Sequence, residues 1–178
     1  MASNLRTTKY RDGTPIPSDN IVHLRFYGRL YNWYAVSDSR GLCPTGWHVP
    51  SDNEWKELEM YLGMSQQEAD RLFAWRGTNE GGKLKSTRTE PDLDPRWDSP
   101  NTGATNESGW SGLPAGVKIS GSVISVGESG CWWSSTQQWV ADAGSFANNR
   151  RLDYNRSDVL RSASSWDNSL AVRCIRYE

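Results

Sequence analysis

The sequence predicts an α+β domain in which two helices pack on small antiparallel sheets, with extensive loops. Two capping boxes open helical periodicities in "SDNEWKELEMYLG" and "SQQEADRLFAWRG". The last third, "GVKISGSVISVG", "CWWSSTQQWV" and "SLAVRCIR", is made of short β-branched and aromatic runs punctuated by glycine. Between these regions, from "NEGGKLKS" to "GLPAGVKISG", runs a stretch of Gly, Asn, Ser, Thr, Pro and Trp with no sustained period of either kind. So long an irregular stretch is uncommon unless it is functional or packed on itself through its aromatics.

In chain order, "KYRDGTPIPSDN" carries a DG turn and two prolines and reads as a strand end followed by a surface loop. "FYGRLYNWYAV" reads as an aromatic strand, with Tyr27, Leu30, Tyr31, Trp33 and Tyr34 as half-buried sheet residues. Ser51 with Glu54, the apolar positions Trp55, Leu58 and Leu62, and the stop at Gly63 predict a helix over 52–62. Ser65 with Glu68 predicts a second helix, with Ala69, Leu72 and Phe73 on one face and Gly77 at its end. Trp97 and Trp110 are the expected plugs of the irregular stretch. The closing "LAVRCIR" reads as a buried last strand, so both ends of the chain contribute to the sheet.

The 178 residues suit a single domain over 1–178, and a net charge of −1 gives no basis for a nucleic-acid partner. Ten Trp and seven Tyr supply large buried areas, so a packed core is attainable at a mean hydropathy of −0.73. No apolar run is long enough to span a bilayer, so no membrane insertion is expected. "MASNLRTTKY" lacks the apolar middle of a signal peptide, and the chain as written reads as soluble, either cytoplasmic or trimmed of a leader. Cys43, Cys131 and Cys174 are too few and too scattered for a disulfide framework or a zinc site. No catalytic residues, metal or cofactor are expected.

The blocks "NLRTTKYRDGTPIP", "GRLYNWYAV", "GLCPTGWHVPSDNEW", "GGKLKST", "SPNTGATNESGWSGLPAG", "WWSST", "YNRSDV" and "AVRCIR" together resemble the Fibrobacter succinogenes major paralogous domain over nearly the whole chain. The resemblance implies a C-type lectin-like fold in the branch shared with the formylglycine-generating enzyme. It also implies an extracellular or phage-encoded binding domain, displayed on a cell or phage surface, with a protein or cell-surface ligand. Some relatives look like variable proteins of diversity-generating retroelements, in which adenine mutagenesis rewrites Asn-type codons near the C-terminus.

The residues of that region divide accordingly. Leu152 and Tyr154, then Asn155, Ser157, Val159 and Arg161, fit the family block at every second position, with a phase shift at Tyr154 and Asn155 that predicts a bulge or turn. The intervening Asp153, Arg156, Asp158 and Leu160 share no chemistry. Alternate side chains of an extended segment face opposite ways, so one face would be framework and the other free to vary. "SASS" after Arg161 reads as a loop. The candidate ligand-binding surface is therefore Asn148, Asn149, Arg151, Asp153, Arg156, Asp158, Leu160, Ser162, Ala163, Ser164, Ser165 and Trp166, with Tyr154 or Trp166 as an aromatic anchor. Changes at the adenines of an Asn codon reach Asp, Ser, Arg, Leu, Ala and Tyr but not Lys, Glu, Gln, Met or Trp. Every candidate from Asn148 to Ser165 lies in the reachable set, and Val140 to Tyr177 contains no Lys, Glu, Gln or Met.

Two other readings compete with this one. "EPD" at Glu90 to Asp92 and "WDN" at Trp166 to Asn168 look like the ligands of calcium-dependent sugar-binding lectins, which would make the domain a fixed carbohydrate-binding or adhesion module. The order of the second string differs from the lectins' Trp-Asn-Asp, and solvent-facing loop residues are the expected role of both. The formylglycine-generating relatives use paired cysteines. Here Cys43 and Cys174 sit in framework blocks and are expected to approach one another, while Cys131 is expected to be a buried small hydrophobe. His48 is expected to be structural.

Overall fold

The computed structural model describes residues 16–17, 21–140 and 144–177. Its elements run β1 (Ile16–Pro17), α1 (Ile21–Tyr27), β2 (Tyr31–Asn32), α2 (Trp33–Val36), β3 (Trp47–His48), α3 (Asp52–Tyr61), α4 (Gln66–Asp70), β4 (Ala74–Arg76) and α5 (Glu80–Leu84). Strands complete the chain: β5 (Val117–Ile119), β6 (Ser122–Ile124), β7 (Ser129–Val140), β8 (Gly144–Asp153), β9 (Val159–Ser165), β10 (Ser169–Leu170) and β11 (Ile175–Arg176). The fold is α+β, with few helices and small antiparallel sheets: β4-β9-β8-β7, β1-β6-β5-β10-β2 and β11-β3. Both ends of the chain meet in the five-stranded sheet, where Ser169 and Leu170 pair with Asn32 and Tyr31.

Helix α3 forms where its capping box places it. The Ser51 hydroxyl accepts from the Glu54 backbone N–H at 3.2 Å, and the Glu54 carboxylate accepts from the Ser51 backbone N–H at 2.7 Å. Four sequence expectations are corrected. The second helix stops at Asp70 instead of running to Gly77: Phe73 turns the chain at φ 56°, and Ala74, Trp75 and Arg76 pair with Arg161, Leu160 and Val159. Cross-strand pairing there outweighs helical propensity. "FYGRLYNWYAV" is two helices around a two-residue strand, because the Asn32 side chain accepts from the Ala35 N–H and caps α2. "LAVRCIR" divides into β10 and β11, with Ala171 bridged to Trp132 between them. "SASS" is the end of strand β9. Of "KYRDGTPIPSDN", Ile16 and Pro17 pair with Val123 and Ser122, and the rest lies outside the described residues.

The four-stranded sheet separates two apolar clusters. Trp132, Leu152 and Val159 pack with Trp55, Leu62 and Trp97 on the side of α3. Cys131, Trp133 and Ala147 pack with Trp33, Val36 and Leu170 on the other side. Trp97 is fully buried, and Trp110 packs on Trp55 at 4.9 Å, so both plug the irregular stretch as expected.

Between α3 and the sheet lies a layer of charge. Asp52 and Glu59, seven residues apart on one helical face, meet arginines from three adjacent strands. Glu59 accepts from Arg76 at 2.8 and 3.0 Å and from Arg150 Nε at 2.6 Å. Asp52 accepts from Arg150 at 2.7 Å and from Arg161 at 2.6 and 3.1 Å. Burial pushes the Asp52 carboxyl up, but the Arg161 hydrogen bonds and the Arg150 charge outweigh it and hold the group below its ordinary value. Its folded value being lowered, the stability it contributes is complete above about pH 4, the unfolded value, and is lost as pH falls through the folded one. Acid unfolding followed by circular dichroism should begin at lower protein stability, and hence higher pH, in Arg161→Gln than in the parent.

Candidate functional site

Register places the sequence-derived candidates. Leu160 lies opposite Arg151, Ser162 opposite Asn149 and Ser164 opposite Ala147, and directly opposed residues of an antiparallel pair share a face. With Asp153 two residues beyond Arg151, and with Trp75 opposite Leu160, these residues occupy the sheet face turned away from α3. The β7 part of that face is covered by α2 and Leu170, while Arg151, Asp153, Leu160 and Ser162 remain partly exposed. Arg156 and Asp158 sit in the loop at its end, where the Arg156 guanidinium lies 4.2 Å over the Trp75 ring and pairs with Asp158 at 2.6 Å.

Other candidates are not brought onto this face. Asn148, 2% exposed, and the half-buried Ala163 and Ser165 point to the α3 side, in register with Arg150 and Arg161. Asn149 is on the candidate face but buried, donating to the Ser164 hydroxyl at 2.8 Å. Trp166 stacks on Trp33 at 4.5 Å and takes the edge of Tyr34 at 5.7 Å, which fixes its ring against the scaffold. Tyr154 packs against the α3-side cluster. The phase shift at Tyr154 and Asn155 is a turn.

That turn, residues 153–158, is held by a set of backbone contacts, joined by two side-chain anchors: Asp153 accepts from the Ser129 hydroxyl at 2.7 Å, and the Ser157 hydroxyl donates to the Thr78 carbonyl at 2.7 Å. The Tyr154 N–H donates to the Glu128 carbonyl at 2.8 Å, and its carbonyl accepts from Thr102 N–H at 2.7 Å. The Ser157 carbonyl accepts from Gly82 N–H at 2.9 Å. Lys85, fully buried, donates from one ammonium to the carbonyls of Asp153 at 3.1 Å, Arg156 at 2.8 Å and Thr102 at 2.8 Å. A Cβ on Gly81 would collide with the Asp158 carbonyl, and one on Gly82 with that of Gly103, so only glycine lets helix α5 approach this closely. Burial pushes the Lys85 ammonium down to about 8 against the raising pull of Asp153 and Asp158. Sequence reasoning missed this grip. Its signal was the string "EGGKLK", in which two glycines, Gly81 and Gly82, are followed three residues on by Lys85. Lys85→Met should strand three carbonyls, cost roughly 1–3 kcal/mol, and speed amide hydrogen exchange selectively at residues 153–157.

The remaining motifs settle into structural roles. His48 Nε2 lies 2.7 Å from the Glu54 carboxylate, and its ring stacks on Tyr177 at 4.3 Å. Cys43 and Cys174 are joined in a disulfide. Cys131 is buried, and burial pushes its thiol up to about 12, so it supplies no thiolate at neutral pH. Glu90 pairs with Arg96 at 3.0 Å, and no group of three or more His, Cys, Asp or Glu among the described residues is arranged to hold a metal ion. Among those residues no helix is long and apolar enough to cross a membrane.

The family model of the Fibrobacter succinogenes major domain matches residues 1–176, and the chain belongs to that family. Comparison with curated proteins and with solved structures gives no match.

Proposed function

We propose that this chain is a non-enzymatic ligand-binding domain of C-type lectin-like fold, in the branch shared with the formylglycine-generating enzyme. Its segment from Asn148 to Trp166 displays a replaceable recognition surface, rewritten by a diversity-generating retroelement. The observation that carries the reading is the backbone grip on residues 153–158. Lys85, Gly82 and Thr102 hold carbonyls that every amino acid possesses, and Gly81 lets α5 approach them, so Arg156 and Asp158 can change without releasing the loop, while Asp153 also accepts from Ser129 and Arg151. Arg161, Leu152 and Val159 fix the flanking strands from the other face.

The face thus offers Arg151, Asp153, Leu160, Ser162 and Ser164 beside the Trp75–Arg156 stack. Small hydroxyls and charged groups around an aromatic ring are the composition of an adaptable protein-binding surface. A protein or cell-surface ligand is the partner that fits. The Cys43–Cys174 disulfide accords with display in an oxidising compartment. The test is a comparison of this gene with its sibling copies. Differences concentrated at adenine sites between Asn148 and Ser165, with a near-identical template repeat beside a reverse transcriptase gene, are expected. Differences spread evenly over the chain, or a locus with neither repeat nor reverse transcriptase, would sink the retroelement part.

A further inference from the structure

A cavity of 270 Å³ opens between the segment after α1, the loop before β5, and the chain following β10. Tyr27, Arg29, Tyr31, Leu113, Trp132 and Arg173 are among its walls, and none of its lining residues falls between 148 and 166. Trp132 belongs to the α3 side of β7, so the cavity is separate from the candidate face.

The charge of the lining is one-sided. Arg29 and Arg173 both line it, and no carboxylate does. Elsewhere the arginines of the four-stranded sheet and of the loop at its end are neutralised: Arg76 by Glu59, Arg150 and Arg161 by Asp52, Arg151 by Asp153 and Arg156 by Asp158. Among the described residues, Arg29 meets no carboxylate, and Arg173 is held only by its cation–π contact, 4.9 Å over the Trp110 ring. Stacking fixes the plane of that guanidinium and leaves its N–H donors uncommitted. Leu113, Val172 and Trp132 give the cavity apolar walls beside the two arginines, which are exposed residues whose charged N–H groups can reach an anion entering from solvent. Its volume falls just below the usual range for drug-sized ligands of about 300–1,000 Å³, which suits a single small group and not an extended chain.

We propose that this cavity is a second, fixed binding site, taking a small oxyanion of the carboxylate or phosphate class between Arg29 and Arg173. It is independent of the variable surface and would let every variant of that surface share one constant ligand. The experiment is a ¹⁵N NMR titration of the intact chain with sodium glucuronate, with glycerol phosphate, and with glucose as the neutral control. Saturable shifts of the Gly112, Ala171 and Arg173 amides are expected with at least one anion and not with glucose, and which anion acts separates a carboxylate from a phosphate ligand. Affinity should fall at least tenfold in R29Q/R173Q and remain unchanged in L160S. Arg29→Gln alone, which keeps the Arg173–Trp110 stack, should weaken binding with thermal stability intact. Absence of saturable shifts with both anions, equal shifts with glucose, or unchanged affinity in R29Q/R173Q would overturn the proposal.

Discussion

Glu59→Ala should lower the stability of this domain by about 3–5 kcal/mol, the loss expected when one partner of a buried ion pair is removed. Glu59 is fully buried and receives hydrogen bonds from two arginines that are themselves buried, Arg76 and Arg150. Without it, three guanidiniums, Arg76, Arg150 and Arg161, face the single carboxylate of Asp52. Domains of this size have about 5–15 kcal/mol in total, so the urea midpoint should fall far enough to leave a measurable unfolded fraction at 37 °C. Glu59→Gln keeps the oxygen acceptor and loses the charge, and should fall between the parent and Glu59→Ala. A loss under about 1 kcal/mol for Glu59→Ala would mean that the layer relaxes or hydrates, and that it does not fix α3 on the sheet.

Removing the Cys43–Cys174 disulfide should cost a comparable amount. The bridge spans a sequence separation of 131 residues. Loop-closure entropy for that length gives about 5 kcal/mol, with about 2–5 kcal/mol the usual range for native bridges in small domains. In a chain of this size that corresponds to a fall in Tm on the order of 10 °C. The local consequence follows from position: Cys174 precedes β11, which pairs with β3 through Ile175 and His48. Reduction should therefore speed hydrogen exchange first at residues 47–48 and 175–176, before the four-stranded sheet. Cys43→Ser/Cys174→Ser with the same Tm as the oxidised parent would show that the bridge adds little beyond the packing around it.

The parts of the fold that sequence disclosed were those fixed by local chemistry. The Ser51 and Glu54 box closes on its own backbone, so α3 was legible. The interruption at Tyr154 and the opposed faces of Leu152 and Asp153, and of Val159 and Leu160, were legible because phase is a local property, whereas the alternation expected to resume at Asn155 gives way to a turn through residue 158 in which Asn155 is exposed. What stayed hidden was decided at a distance. Ala74 to Arg76 is a strand because β9 supplies its partner, and the helical pattern around it carries no sign of that pairing. "SASS" is a strand for the same reason, with Phe146 to Asn149 as its partner. Small residues have no periodicity to reveal an edge of a sheet. At the candidate site, the face was legible as alternation, but its depth was not. Asn148 and Asn149 are polar residues buried by what packs over them, and Trp166 is claimed by Trp33 before it can serve a ligand. The charged layer left one clue, since Glu59 lies four residues after Trp55 and three before Leu62, on the apolar stripe of α3. A carboxylate there requires a buried partner, and the partners lie 17 and 91 residues away.

On the proposed function, the segment from Asn148 to Trp166 interleaves permissive positions with framework ones. A saturation substitution scan of that segment, read as resistance to proteolysis of the folded domain, tests it most directly. Substitutions at Arg156, Leu160 and Ser162 should stay within about 0.5 kcal/mol of the parent, whereas truncation of Leu152 or Val159 should cost roughly 2–5 kcal/mol and loss of Arg161 should unfold the protein at milder pH. Equal costs at the two sets of positions, or tolerance at Leu152 and Val159 with intolerance at Leu160 and Ser162, would contradict it.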